Sequence, residues 1–146
     1  MKTAAGALFV AADTGRVLLN LRAPDKTHGM HWSLWGGMAL NGESPPVALR
    51  REIFEEMGEV DIHRIYPFDV YESRDREFRY YTFVCVTTTE FVPQMNSESA
   101  GFCWCDLGVW PRPLHSGLKN TFANRRGMSL LQIIRDQHQG ATNLKG

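Results

Sequence analysis

The sequence predicts an α/β fold, a central sheet with helices on both of its faces. Three observations carry this. The stretch Phe78–Thr88 is apolar on both faces: Phe78, Tyr80, Val84 and Val86 alternate with Tyr81, Phe83 and Cys85. Such a strand belongs in the middle of a sheet covered from both sides. An amphipathic helical stretch, Ser44 to Gly58, can cover one face. Helical patterns from Ser116 to His138 can cover the other.

The 146 residues suit one domain, 1–146, with a polar, frayed tail from Gln139 to Gly146. Formal net charge is +0. No basic field marks a nucleic-acid binder, and no apolar run approaches the ~18 residues of a membrane span. The expectation is a cytoplasmic protein with no nucleic-acid or membrane partner. Cys85, Cys103 and Cys105 are odd in number and lack the C-x2-C spacing of a zinc site. They read as reduced strand residues.

The elements follow in order. Ala4–Ala12 and Arg16–Arg22 flank Asp13-Thr14-Gly15 as a hairpin. Arg22, at its end, reads either as an exposed edge arginine or as a phosphate contact. Ala23–His31 is loop, with His28 and His31 in it; histidines titrate and ligate readily, but loop histidines more often do neither. His31–Trp35 is a short aromatic strand entering Gly36-Gly37. Ser44 is a good N-cap and Pro45 loses no hydrogen bond at the first helical position. Gly58 stops the helix. Val47, Leu49, Ile53, Phe54 and Met57 are expected to pack, with Glu52, Glu55 and Glu56 presented from another face. Val60–Tyr71 reads as a strand interrupted at Pro67, Ser73–Arg76 as a turn, Val92–Ala100 as a polar loop holding Glu98, and Gly101–Leu107 as a strand. Two helices, Ser116–Arg126 and Met128–His138, are expected to break at Gly127, with Leu130, Leu131, Ile133 and Ile134 buried.

The stretch Gly37–Gly58 carries the chemistry. Glu52, Glu55 and Glu56 sit near a helix C-terminus, where the macrodipole disfavours negative charge. Glu52 and Glu56 are also a like-charge i, i+4 pair. A cation between the carboxylates reverses the sign of that argument. All-oxygen donors favour Mg²⁺, or Mn²⁺, over zinc. A glycine at position 37 can bring its carbonyl close to such an ion. Arg51 can pair with Glu55 one turn on. Together these residues suit metal-assisted attack of water on a phosphoanhydride.

The spacing of Gly37, Glu43, Arg51-Glu52, Glu55-Glu56 and Gly58 resembles the Nudix box. The resemblance implies an α/β/α sandwich with a central mixed sheet. It implies that Glu52, Glu55 and Glu56 coordinate divalent cations, that the Gly37 carbonyl can join them, and that Arg51 orients a box glutamate. Glu43 takes a more structural part. Glu98 resembles the loop glutamate that supplies a general base in several members, with Glu55 as the competing base. Trp35 stands where proline is more common, beside the substrate cleft, and with Arg22 is a candidate substrate contact. The reaction implied is hydrolysis of a nucleoside diphosphate linked to another moiety. (Deoxy)nucleoside triphosphates rank first, nucleotide sugars or ADP-ribose second. The alternative is a Nudix-like domain that binds a nucleotide and regulates without hydrolysis. A homodimer is left open.

Overall fold

The computed structural model describes residues 1–145, with side chains through residue 140. The elements run β1 Lys2–Ala11, β2 Val17–Arg22, β3 Trp32–Ser33, β4 Trp35–Met38, α1 Pro45–Met57, β5 Arg64–Glu72, β6 Phe78–Thr87, β7 Ser99–Cys105, α2 Ser116–Ala123 and α3 Arg125–Lys145. Among the described residues, no helix is long and apolar enough to cross a membrane.

The seven strands form one mixed sheet with β1 near its centre. On one side β1 runs parallel to β6, from Lys2↔Phe78 to Ala11↔Thr87. Strand β5 then lies antiparallel to β6. On its other side β1 serves two partners. Its start pairs with β4, Ala4↔Met38 to Ala7↔Trp35. Its end pairs with β2 at Phe9↔Leu18 and Val10↔Val17. The sheet forks between them. Beyond the fork β2 pairs with β3, and β7 runs along the opposite edge of β2. The short chain Trp32–Met38 therefore crosses from one arm of the fork to the other, and Gly36-Gly37 lies on that crossing.

Helix α1 covers one face through Ala48, Leu49, Ile53 and Met57 against Ala5, Ala7, Phe9, Leu18, Phe83 and Cys85. Helices α2 and α3 cover the other through Leu118, Leu131 and Ile134 against Leu8, Val10, Val17, Leu19, Val84 and Val86. The expected layering holds, and β6 is covered on both faces. Cys103 and Cys105 share a strand face with their Sγ atoms 3.3 Å apart, as free thiols.

Several local expectations are corrected. Val47 and Phe54 are 54% and 65% exposed, while Glu56 is buried at 5%. At 100° per residue Val47 and Phe54 lie roughly 160° or more from Glu56. Glu56 sits mid-way across the packed face, not opposite it. Ile133 is exposed for the same reason: Leu131 and Ile134 define the buried stripe, and Ile133 is roughly 160° from Leu131; Leu130, beside Ile134 on the wheel, sits at the margin of the stripe at 39% exposed. Strand β5 begins at Arg64 rather than Val60, because Val60 and Ile62 pack on the first core cluster before the chain reaches the sheet edge. Pro67 sits at a bulge, with the register shifting between Pro67 and Asp69. The helical break falls at Asn124, whose Oδ1 accepts from the Gly127 amide at 3.1 Å. Gly127 lies inside α3. Helix α3 is drawn through Lys145; Gly146 lies outside the described residues.

Candidate active site

The N-terminus of α1 forms as its sequence implies. Ser44 Oγ accepts from the Val47 amide and two prolines fill the first turn. At the other end Gly58 adopts φ +77 and its amide donates to the Phe54 carbonyl. A left-handed residue favours glycine here. Within this frame Arg51 uses all five of its donors. Nε and Nη2 grip Glu43 at 2.8 and 2.9 Å. Nη2 also reaches the Met38 carbonyl at 2.9 Å. Nη1 donates to Glu52 at 3.0 Å and to Glu55 at 3.1 Å. Glu43 is in turn fixed by the Leu40 amide at 2.7 Å, and its carboxyl is held below the usual range by Arg51 first and that amide second. Arg51 thus positions two box glutamates at once, with Glu43 as its anchor.

Glu52 and Glu56 occupy the crossing at Gly36-Gly37. The Gly36 amide donates to Glu56 Oε2 at 3.1 Å. The Glu52 carboxylate lies flat against Gly37: a Cβ there would stand 2.7 Å from its carboxyl carbon. One glycine receives a hydrogen bond partner and the next makes room for a carboxylate. Burial pushes the Glu56 carboxyl up to about 8, with Glu52 and Glu98 adding to the effect and Gly36 and Arg22 opposing it. Glu52 is also raised, by burial first, against the pull of Arg51 and with Glu55 and Glu98 adding.

Glu98, in the loop before β7, acts electrostatically on Glu52 and Glu56. Its amide donates to Asn96 Oδ1 at 2.8 Å and its carbonyl accepts from Ala23 at 2.9 Å. Asn96 Nδ2 donates to the Glu55 carbonyl at 3.0 Å, so one side chain ties the loop to α1. Asn96 has no place in the sequence reading. Its signal was the N-x-E pattern, since Asn readily accepts from the amide two residues on. The Glu98 carboxylate is half exposed, with Lys26 at 3.9 Å.

The candidate substrate contacts divide. Arg22, at the end of β2, donates from Nε to the Thr27 carbonyl at 2.7 Å and acts electrostatically on Glu56. Trp35 is 0% exposed within the core beneath α1, and its Nε1 has no partner. It cannot stack on a substrate in this packing, which corrects the expectation. Its side chain points into the sheet–helix interface because β4 pairs Trp35 with the core residue Ala7.

The donor set fits a hard divalent cation. It is all oxygen, and burial beside Glu52 raises the Glu56 carboxyl, a shift that a bound cation would reverse by favouring the ionised form. Among the described residues the side chains do not stand as a closed cage of three ligands. Arg51 holds one oxygen each of Glu52 and Glu55, and Gly36 one of Glu56. Two surface hollows, of 210 and 330 Å³, are lined by none of the box glutamates.

A family model described as the NUDIX domain matches residues 1–124. No curated protein sequence matches the chain significantly. Among solved structures, the Nudix hydrolase RenU from M. smegmatis superposes with a TM-score of 0.70 at 24% identity, over 88% of this chain and 85% of that one. A MutT Nudix hydrolase from Burkholderia pseudomallei gives 0.67 at 23%, over 85% and 97%. The E. coli dihydroneopterin triphosphate pyrophosphohydrolase gives 0.57 at 22%, over 88% and 92%. At such identities these likenesses concern the fold. The matched family model covers most of the chain, and the box glutamates and their arginine stand together on α1: the chain belongs to the Nudix domain family.

Proposed function

We propose that the chain hydrolyses a phosphoanhydride bond in a nucleoside diphosphate linked to another moiety, in a Mg²⁺-dependent reaction. The observation that carries this reading is the placing of Glu52 and Glu56 against Gly36-Gly37, where burial and mutual repulsion raise both carboxyls. Glu52, Glu55, Glu56 and the Gly37 carbonyl would hold the cation, with Mn²⁺ as an alternative. Such an ion polarises phosphoryl oxygens and lowers the pKa of bound water.

The remaining roles belong to the chain. Arg51 keeps Glu52 and Glu55 turned toward the site, and Glu43 keeps Arg51 in place. Arg22 contacts the substrate phosphates. Glu98 is the better-supported base: it acts on Glu52 and Glu56, it is half exposed to water, and its backbone is pinned on both sides. Glu55 instead shares its carboxylate with Arg51. For substrate we retain the order of (deoxy)nucleoside triphosphates, then nucleotide sugars or ADP-ribose. Two fold relatives are named for a triphosphate and for ADP-ribose.

The test is a panel of these nucleotides with Mg²⁺, products identified by mass, run beside Glu56→Gln. Wild type should release a nucleoside monophosphate or pyrophosphate, and the variant should lose at least about a hundredfold in kcat. Wild type and variant equally inert on every nucleotide would sink the hydrolase reading and favour nucleotide binding alone.

A further inference from the structure

Arg22 acts electrostatically on Glu56 of the box, on Tyr80 of β6 and on His115 just before α2. Around it stand three histidines that the proposed reaction does not use. The His28 ring packs edge-on to His115 at 4.5 Å between centroids, and to His31 at 6.1 Å. Two distant segments are tied together to achieve this. The Trp32 amide donates to Pro113 and the His115 amide to Trp32, each at 2.8 Å. Met30 and Arg22 likewise clasp the loop, with Met30 N–H to the Arg22 carbonyl at 2.8 Å and Arg22 N–H to the His31 carbonyl at 3.0 Å. His28 and Met30 adopt φ +56 and +58, a conformation side chains rarely take without an over-determining fold.

The hydrogen bonds settle what the rings present. His115 Nδ1 accepts from the Gly117 amide at 3.0 Å, so the neutral ring carries its proton on Nε2 as a donor. His31 Nδ1 lies 2.9 Å from the Gly29 carbonyl, which can only accept, so that nitrogen carries hydrogen. On protonation His31 Nε2 becomes a second donor. The groups acting on His115 are His28, Arg22 and His31; burial and these neighbours hold its pKa below the ordinary value. Arg22 faces the Glu56 carboxyl on its box side, while the groups acting on His115 include no carboxylate, so an anion on that side would meet the Arg22 guanidinium and ring N–H donors. A metal is the poorer fit, because His115 offers N–H rather than a lone pair and the rings meet edge-on instead of converging. Among the described residues no metal-holding group of three includes them.

We propose that Arg22, His28, His31 and His115 form an anion subsite, which takes a further phosphoryl group of a polyphosphate substrate beyond those engaged at the box. This rests on the phosphoanhydride reading of the box, and it favours a nucleoside triphosphate over a nucleotide with a neutral sugar end.

The subsite is tested first without catalysis. Ring-proton NMR of the full chain is followed against inorganic tripolyphosphate, without Mg²⁺, from pH 5.5 to 8. The His28 and His115 resonances should shift saturably and their apparent pKa values rise, since an anion favours the charged ring. His63 and His138, whose rings face each other elsewhere, serve as internal references. Kinetics then compare wild type with His28→Asn and His115→Asn. Asparagine tolerates the left-handed backbone at position 28 and caps a helix well at 115. KM for a nucleoside triphosphate should rise about tenfold at pH 6.5, as for one lost charge-assisted hydrogen bond, with kcat within about twofold. KM for a nucleotide sugar should not move. Rings silent to tripolyphosphate, or equal KM changes for both substrates, would overturn the subsite. Responsive rings on a protein that hydrolyses no nucleotide would keep the subsite and discard the hydrolase reading; silent rings on an active enzyme would do the reverse.

Discussion

Arg51 concentrates the box on one side chain. Its planar fork grips Glu43 with two nitrogens while a third spans Glu52 and Glu55. Lysine keeps the charge but cannot reproduce that geometry. Arg51→Lys is expected to weaken Mg²⁺ binding about 10- to 100-fold and to cost ~1–3 kcal/mol of stability, read by metal titration and chemical denaturation. Unchanged Mg²⁺ affinity would remove Arg51 from the positioning role. Glu56 makes a prediction in pH. Its carboxyl is raised from 4.5 to about 8 in the cation-free fold. A raised carboxyl means the folded state holds a proton that the unfolded chain releases between those values. The contribution of Glu56 to stability is then fully present below 4.5, is lost through the window to about 8 and stays lost above it. In EDTA, Glu56→Gln should exceed wild type by on the order of 3 kcal/mol at pH 9, with the gap closing near pH 4.5 and Mg²⁺ restoring wild type. A gap independent of pH would show that Glu56 is not the titrating group. The spacing of the glutamates was legible in the sequence because a helix fixes which residues share a turn. The burial of Glu56 was equally open to a helical wheel, which places Val47 and Phe54 opposite it.

At the scale of elements, the strand crossing at Gly36-Gly37 separates two uses of glycine. Gly36 has φ +150 and a Cβ would collide with the Ala5 carbonyl, so backbone would have to move. At Gly37 the obstacle is the Glu52 carboxylate. Gly36→Ala should therefore unfold or strongly destabilise the chain. Gly37→Ala should fold with a Tm near wild type and lose cation affinity. Isothermal titration with Mg²⁺ separates the two, and an equal loss of Tm in both would refute the distinction. The α2–α3 junction supports a milder case. Asn124→Ala removes the cap on the Gly127 amide and should cost ~1 kcal/mol. Position 127 drew attention as the glycine in the pattern, yet it is there to lie against Phe68, where a Cβ would stand 3.2 Å from the ring. Propensity alone does not distinguish a glycine that breaks a helix from one that packs closely inside it. Asn96 and His115 were missed for a different reason. Each acts on a partner far away in sequence, on Glu55 in one case and beside Arg22 and His28 in the other.

For the whole molecule, the layering followed from patterns that alternate or repeat: β6 apolar on both faces, α1 and α3 with one apolar stripe each. The fork in the sheet had no such pattern, because it depends on which partner β1 finds along each half of its length. The same pairing has a kinetic consequence. The parallel ladder from Lys2↔Phe78 to Ala11↔Thr87 encloses β2, β3, β4, α1 and β5 in one loop of chain. Closing a loop that long precedes its reward in contacts, and such topologies fold slowly. The carboxylates on α1 meet Gly36-Gly37 only once β4 has docked on β1, inside that loop. Under the proposed reading, the ligands for Mg²⁺ would be assembled only after the folding transition state. Stopped-flow refolding rates should be the same within about twofold with and without Mg²⁺, while unfolding slows in proportion to the binding free energy. Refolding accelerated by Mg²⁺ would place the carboxylate cluster in the nucleus, ahead of the ladder that now encloses it.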